Sequence, residues 1–188
     1  MAIPLYIFGW PGPLGGASTK TEHLVGLLKD CFDLRFIVPN PELSKNDAPR
    51  REWLKSLGIE ILSLKDSPQR FDGNVFAMCV IDFFEKGMAN FFKERHAKLI
   101  WANEMTWLFK GEADAARQGL IDRVLYVSEF QKEFFKDVYT GVDSRIVGNY
   151  VDDEWFPWIR RRNEVFTIGR LSRSDPTKYP EDFPVFYE

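Results

Sequence analysis

Four glycines fall within eight residues of the stretch Phe8-Gly9-Trp10-Pro11-Gly12-Pro13-Leu14-Gly15-Gly16-Ala17-Ser18-Thr19. Successive backbone N–H groups, followed by a helix N-terminus with its partial positive charge, can hold an anion without any basic side chain. Phosphate binding by the main chain is therefore the chemistry this composition suggests, with Gly15, Gly16 and Ala17 as its residues. The spacing Gly9, Gly12, Gly15, Gly16 is neither the G-x-G-x-x-G fingerprint nor a Walker loop, which would end in Gly-Lys-Ser/Thr. The same residues, with Pro11 and Pro13, equally suit a plain strand-to-helix connector. Further polar candidates follow apolar runs: Asn103-Glu104 after Leu99-Ile100-Trp101-Ala102, and Ser128-Glu129 after Val124-Leu125-Tyr126-Val127. His23 has no second histidine or cysteine at metal spacing, so it reads as a partly exposed helical residue rather than a ligand.

The elements that position these residues alternate in type. Pro4 to Phe8 is a continuous apolar run, as expected of a strand buried on both faces. Ser18 or Thr19 is placed to cap a helix whose apolar side is Leu24, Leu27, Leu28 and Cys31, with Lys20, Glu22 and Lys29 on the other side. Leu34–Val38 is the next strand, then a helix over Arg50–Leu57 closed by Gly58, and strands over Ile59–Leu64 and Val75–Ile81. Helices are expected over Asp82–Arg95, Glu112–Gln118 and Glu129–Val138, the last capped by Ser128, with strands at Leu99–Ala102, Val124–Val127 and Ser144–Val151. This alternation predicts an α/β fold: a Rossmann-like, doubly wound, mainly parallel sheet with helices on both faces. Ligands in such folds bind beyond the carboxyl ends of the strands, so the glycine loop, Asn103-Glu104 and Ser128-Glu129 should converge on one cleft.

Composition narrows the function classes. The 188 residues carry a formal net charge of -3, and 45% are hydrophobic and 28% charged, which is globular and gives no electrostatic footprint for nucleic acid. Cys31 and Cys79, the two cysteines, form no C-x-x-C and read as buried thiols of a cytoplasmic protein. No apolar run approaches the ~20 residues that span a bilayer, which leaves attachment to a membrane surface open but unsupported. An NAD-dependent oxidoreductase would need an acidic residue after the second strand, where Val38-Pro39-Asn40-Pro41 stands instead. The doublets Phe83-Phe84, Phe91-Phe92 and Phe134-Phe135 suggest one ring in the core and one at its rim.

Beyond Gly141 the pattern changes, with Asp152-Asp153-Glu154-Trp155-Phe156-Pro157-Trp158, the basic cluster Arg160-Arg161-Arg162, and a new apolar run over Val165–Leu171. Four motifs then fall in a telling order: Gly15-Gly16-Ala17; Val127-Ser128-Glu129-Phe130-Gln131; Val147-Gly148-Asn149-Tyr150-Val151-Asp152 followed by Phe156; and Ile168-Gly169-Arg170-Leu171 with Lys178. In these the chain resembles the N-terminal part of family 4 retaining glycosyltransferases, which have the two-Rossmann GT-B architecture.

The resemblance implies metal-independent transfer of a sugar from a nucleoside-diphosphate donor to an acceptor, with no cofactor. The leaving diphosphate would be stabilised by the backbone of Gly15 and Gly16 on one side and by Arg170 and Lys178 on the other. Glu104, Arg170 and Lys178 are the catalytic candidates, Arg173 is a substitute phosphate ligand, and Asn103, Ser128, Glu129 and Asn149 belong to the acceptor side of the cleft. Residues 1–155 are then an acceptor-side domain, and 156–188 a linker and first strand of a donor domain that continues past Glu188. A chain so truncated is expected to transfer little or no sugar alone. Two departures stand out: Asn103-Glu104 replace the family's histidine, and Lys178 stands eight positions after Arg170, farther than the usual spacing. Glu104 also suits a turn-capping role, and Arg170 and Lys178 a solvated surface pair. The alternative is a non-catalytic Rossmann-like module that binds a nucleotide or phosphometabolite.

Overall fold

A computed structural model of the chain describes residues 3–12 and 16–150, all within the first of two units into which the chain divides, Met1–Phe156. Gly15, Arg170, Arg173, Lys178 and the expected domain junction lie outside the described residues.

The fold is an α/β Rossmann-like one, built on a single parallel sheet of seven strands. These are β1 (Ile3–Phe8), β2 (Phe32–Val38), β3 (Glu60–Ser63), β4 (Asn74–Met78), β5 (Lys98–Ala102), β6 (Arg123–Tyr126) and β7 (Asp143–Ile146), in the spatial order β3-β2-β1-β4-β5-β6-β7. The helices are α1 (Gly16–Leu28), α2 (Pro41–Lys45), α3 (Ala48–Ser56), α4 (Met88–Glu94), α5 (Glu112–Arg117) and α6 (Glu129–Phe134). The chain winds outward from β1 to β3 and returns to pair β4 with the other edge of β1. The topological switch point, where such sheets bind ligands, therefore lies between the carboxyl ends of β1 and β4.

Side chains alternate across β1, so Tyr6 and Phe8 enter one core while Leu5 and Ile7 enter the other. Both faces are covered, which is why the strand reads as an unbroken apolar run. Val25 of α1 and Leu54 of α3 pack on the Leu5 side. On the other, Phe92 of α4 and Ala115 of α5 pack with an aromatic cluster in which Phe83 lies 5.2 Å from Phe8 and 5.3 Å from Trp101 between ring centroids. Gly73 passes so close to β1 that a Cβ there would stand 2.2 Å from the Pro4 carbonyl oxygen. Phe92 and Phe135 take the core positions of their doublets, whereas Phe83 and Phe84 are both buried.

The largest departure from the sequence pattern is in α1. The helix starts at Gly16, so neither Ser18 nor Thr19 is its cap; Thr19 Oγ1 instead donates to the Gly12 carbonyl at 3.2 Å. Its buried residues are Lys20, Thr21, Glu22, His23 and Val25, while Leu27 is 46% exposed. His23 is thus buried rather than partly exposed, and Cys31 is exposed rather than buried. The reason is position: Lys20 and Glu22 meet polar partners that an apolar core lacks, Glu104 in the loop after β5 and Arg50 of α3.

Smaller differences have local causes. Gly87, at φ +69°, interrupts the expected Asp82–Arg95 helix and leaves α4 to start at Met88. The unexpected α2 is capped by the Asn40 side chain, which accepts from Glu42 N at 3.0 Å, with Pro41 in its first turn. Helix α6 stops at Phe134, and β7 stops at Ile146. No helix among the described residues is long and apolar enough to cross a membrane.

Candidate functional site at the carboxyl edge of the sheet

A cleft of about 520 Å³ opens at the switch point. Its walls include Trp10 from the loop after β1, Ala17 and Ser18 from the first turn of α1, Asp47 at the start of α3, and Cys79 and Ile81 after β4. The loop leaves β1 through Gly9, whose φ of +151° favours glycine and whose N–H donates to the Ile37 carbonyl at 3.1 Å. Trp10 Nε1 donates to Asp47 Oδ2 at 3.1 Å, and the indole ring meets Phe36 edge-on at 6.4 Å. Arg50 is shared between the carboxylates of Asp47, at 3.4 Å, and Glu22, at 3.3 Å. The glycine loop is thereby tied to both α1 and α3.

Cys79 adopts a left-handed backbone, φ +48°, at the end of β4, where its N–H donates to the Ala102 carbonyl at 3.0 Å. Burial pushes its thiol up to about 12, Glu104 and Glu112 push in the same direction, and Lys20 opposes them. A thiol held neutral in this way is not an activated nucleophile.

Beside Cys79, Lys20 Nζ of α1 forms an ion pair with Glu104, the residue the sequence singled out after β5. The ammonium also donates to Asn149 Oδ1 at 3.1 Å and lies 4.6 Å from the centre of the Tyr150 ring. Both charged side chains are largely withdrawn from solvent, at 9% and 16% exposure. Burial raises the Tyr150 hydroxyl above its ordinary range, and the nearby Glu104 carboxylate adds to the effect.

The loop that presents Glu104 is held from beneath by Glu112. This fully buried carboxylate accepts from Trp101 Nε1 at 2.5 Å, from Phe109 N at 2.7 Å, from Asn103 Nδ2 at 3.0 Å and from the Tyr139 hydroxyl. Burial raises the Glu112 carboxyl above its ordinary value, and those hydrogen bonds pull it partway back. The Asn103 amide is wholly engaged: Nδ2 also donates to the Trp107 carbonyl at 2.9 Å, and Oδ1 accepts from Met105 N at 3.0 Å. Gln131 of α6 closes the hub, donating to the carbonyls of Asn103 and Met105 at 3.2 and 2.9 Å.

The sequence-predicted residues thus divide. Gly16 and Ala17 stand in the first turn of α1, and Glu104 and Asn149 meet on Lys20. Asn103 is buried in the hub, Ser128 caps α6 by accepting from Gln131 N at 3.1 Å, and Glu129 is exposed in the first turn of that helix. Lys20, Glu112 and Tyr139 are not among the sequence candidates, and Gln131 enters there only as the last residue of the motif Val127-Ser128-Glu129-Phe130-Gln131. Glu112 gives no signal beyond being a polar residue at a helix start, whereas Lys20 has one: a lysine close behind a glycine loop. No protein-family model matches the chain, and neither does any curated protein.

A larger depression, about 680 Å³, lies at the opposite edge of the sheet around Asp33, Arg35 and Asp72. Its Arg35 is taken up by Asp33 at 2.7 Å and by the Tyr6 hydroxyl at 2.9 Å, and the Tyr6 hydroxyl itself donates to Asp72 at 2.7 Å. These groups satisfy one another across the amino ends of β1 and β2, and the chemistry suggested by the sequence lies at the other edge.

Proposed function

We propose that this chain is the acceptor-side domain of a retaining, metal-independent glycosyltransferase that uses a nucleoside-diphosphate sugar. The observation that carries the proposal is the cleft at the β1/β4 switch point, with the glycine loop and the first turn of α1 in its wall. The motif order of the sequence supports the same reading.

In the transfer, the acceptor O–H bond and the bond from sugar C1 to the diphosphate oxygen break, and a new C1–O bond forms. The diphosphate leaves with the bonding electron pair and receives the acceptor proton. Backbone N–H groups at the start of α1 favour the charge that develops on the leaving group. Glu104 orients an acceptor hydroxyl, and Lys20 holds its carboxylate in place. Arg170, Lys178 and Arg173, which the resemblance assigns to the diphosphate, lie outside the described residues.

Calorimetric titration with UDP, GDP and ADP and their sugar conjugates, alongside an assay of sugar transfer, tests this. Saturable binding of one nucleotide family in the millimolar to high-micromolar range, together with slow but detectable transfer from its sugar conjugate, is the expected outcome. Submicromolar binding by this chain with no transfer in any context supports a nucleotide-binding module instead.

A further inference from the structure

The segment after β4 is held in place at a conformational cost. Cys79 and Asp82 both take left-handed backbone, at φ +48° and +61°, which residues with a Cβ rarely adopt. Between them stand Val80 and Ile81, and Ile81 is 74% exposed, more than any other large apolar side chain among the described residues. These two residues form a ridge with a hollow on each side. One hollow is the switch-point cleft; the other is a smaller recess of about 250 Å³, and Phe8, Pro39, Val80 and Ile81 line both.

The recess is apolar within and polar at its mouth. Phe8 and Phe83, both buried and 5.2 Å apart between ring centroids, line it together with the half-buried Leu64 and Met88. The polar groups around it are committed. Lys86 pairs with Asp82 at 3.4 Å, both side chains staying in contact with solvent, and Asn40 Oδ1 is spent on the cap of α2. The N–H groups of Phe83, Lys86 and Met88 donate to the carbonyls of Val80, Asp82 and Phe83. What the recess offers a ligand is therefore apolar contact, and an ion placed there would lose water without gaining a partner. An apolar cavity of ~150 Å³ is enough for a benzene ring. Aromatic walls add edge-on ring contacts, and the Met88 thioether adapts to the shape of what enters.

We infer that this recess is a subsite for an apolar group about the size of a phenyl ring, carried by a ligand whose polar part lies in the switch-point cleft and whose body covers Ile81. That the ligand is the acceptor rests on the transferase reading; the subsite itself does not.

The test titrates phenyl β-glucoside and methyl β-glucoside, which differ only in that group, into the 188-residue chain and follows the methyl signals of Leu64, Val80, Ile81 and Met88. The phenyl compound is expected to bind at least about tenfold more tightly, as burial of one ring allows, and to move those signals. Ile81→Ser, at an exposed position that tolerates the change, should cut the preference about threefold by removing the apolar ridge. Met88→Trp should abolish it by filling the recess, and if that variant does not fold, Ile81→Ser carries the test. Equal binding of the two glucosides, no saturable binding of either, shifts confined to residues away from the recess, or a preference that Ile81→Ser leaves unchanged would each overturn the inference. The transferase reading fails separately: a ring preference at the recess without transfer from any sugar nucleotide keeps the subsite and removes the reaction.

Discussion

Lys20 and Glu104, 84 positions apart in sequence, form an ion pair at the carboxyl edge of the sheet. The pair joins α1 to the loop after β5, and Asn149 extends it to the segment after β7. Two crossovers and the segment after β7 are therefore pinned at one point.

Removing one partner leaves the other charge nearly buried. Lys20→Met should lower stability by ~3 kcal/mol, and Glu104→Gln should be similar, because an unpaired buried charge is costly. The double variant should recover part of that loss. Urea denaturation of the four proteins in the cycle gives the coupling energy, and a coupling indistinguishable from zero would place the two side chains apart in solution.

Glu112 predicts a pH dependence of definite sign. Its folded-state value is raised, mainly by burial. The stabilisation that its protonated form contributes is present below the ordinary carboxyl value of 4.5 and is lost as pH rises through the folded value. The stability gap between the wild-type chain and Glu112→Gln should accordingly narrow from acid toward neutral pH, measured as urea midpoints at several pH values. A gap that widens over that range contradicts the assignment.

At Gly73 the constraint is steric. A Cβ would overlap the Pro4 carbonyl oxygen, and backbone on both sides cannot give way without shifting β1 against β4. Gly73→Ala should cost about 2 kcal/mol or more, by analogy with other overpacked sites. A melting temperature unchanged in Gly73→Ala would show that the strands are not so closely set.

Ser128 distinguishes a cap from a ligand contact. Its hydroxyl accepts from Gln131 N, so Ser128→Ala should cost ~1 kcal/mol and Ser128→Asp should keep most of the stability. Thermal melts of both variants check this. Equal losses in the two would mean that the hydroxyl, rather than its acceptor oxygen, is what matters.

The central strands were legible because a parallel sheet covered on both faces makes them apolar runs, as Tyr6-Ile7-Phe8 and Val75-Phe76-Ala77 illustrate. The position of the cleft followed from their alternation with helices. The turn chemistry at Asn40-Pro41 was present in the sequence and marks α2, although it reads equally as the end of a strand. The polar interior was not legible. Lys20 and Glu22 are buried against partners distant in sequence, Glu104 and Arg50, and helical periodicity carries no information about which segments will cover a helix. The same holds for Asn103, which the spacing brought forward as a cleft residue. Its amide is spent on the Glu112 hub, and its contribution is to fix the loop that carries Glu104.

Amide chemical shifts read out whether the loop from Gly9 into α1 receives the diphosphate of a sugar nucleotide. The measurement is a titration of the isotopically labelled chain with UDP, GDP and ADP, following the backbone N–H signals of Gly9, Gly12, Gly16 and Ala17. Saturable shifts from at least one nucleotide are expected, concentrated on those amides and on the neighbouring Lys20 and Glu104. Shifts confined to the opposite edge around Asp33, Arg35 and Asp72, or no shifts in the first turn of α1 with any of the three, would contradict it.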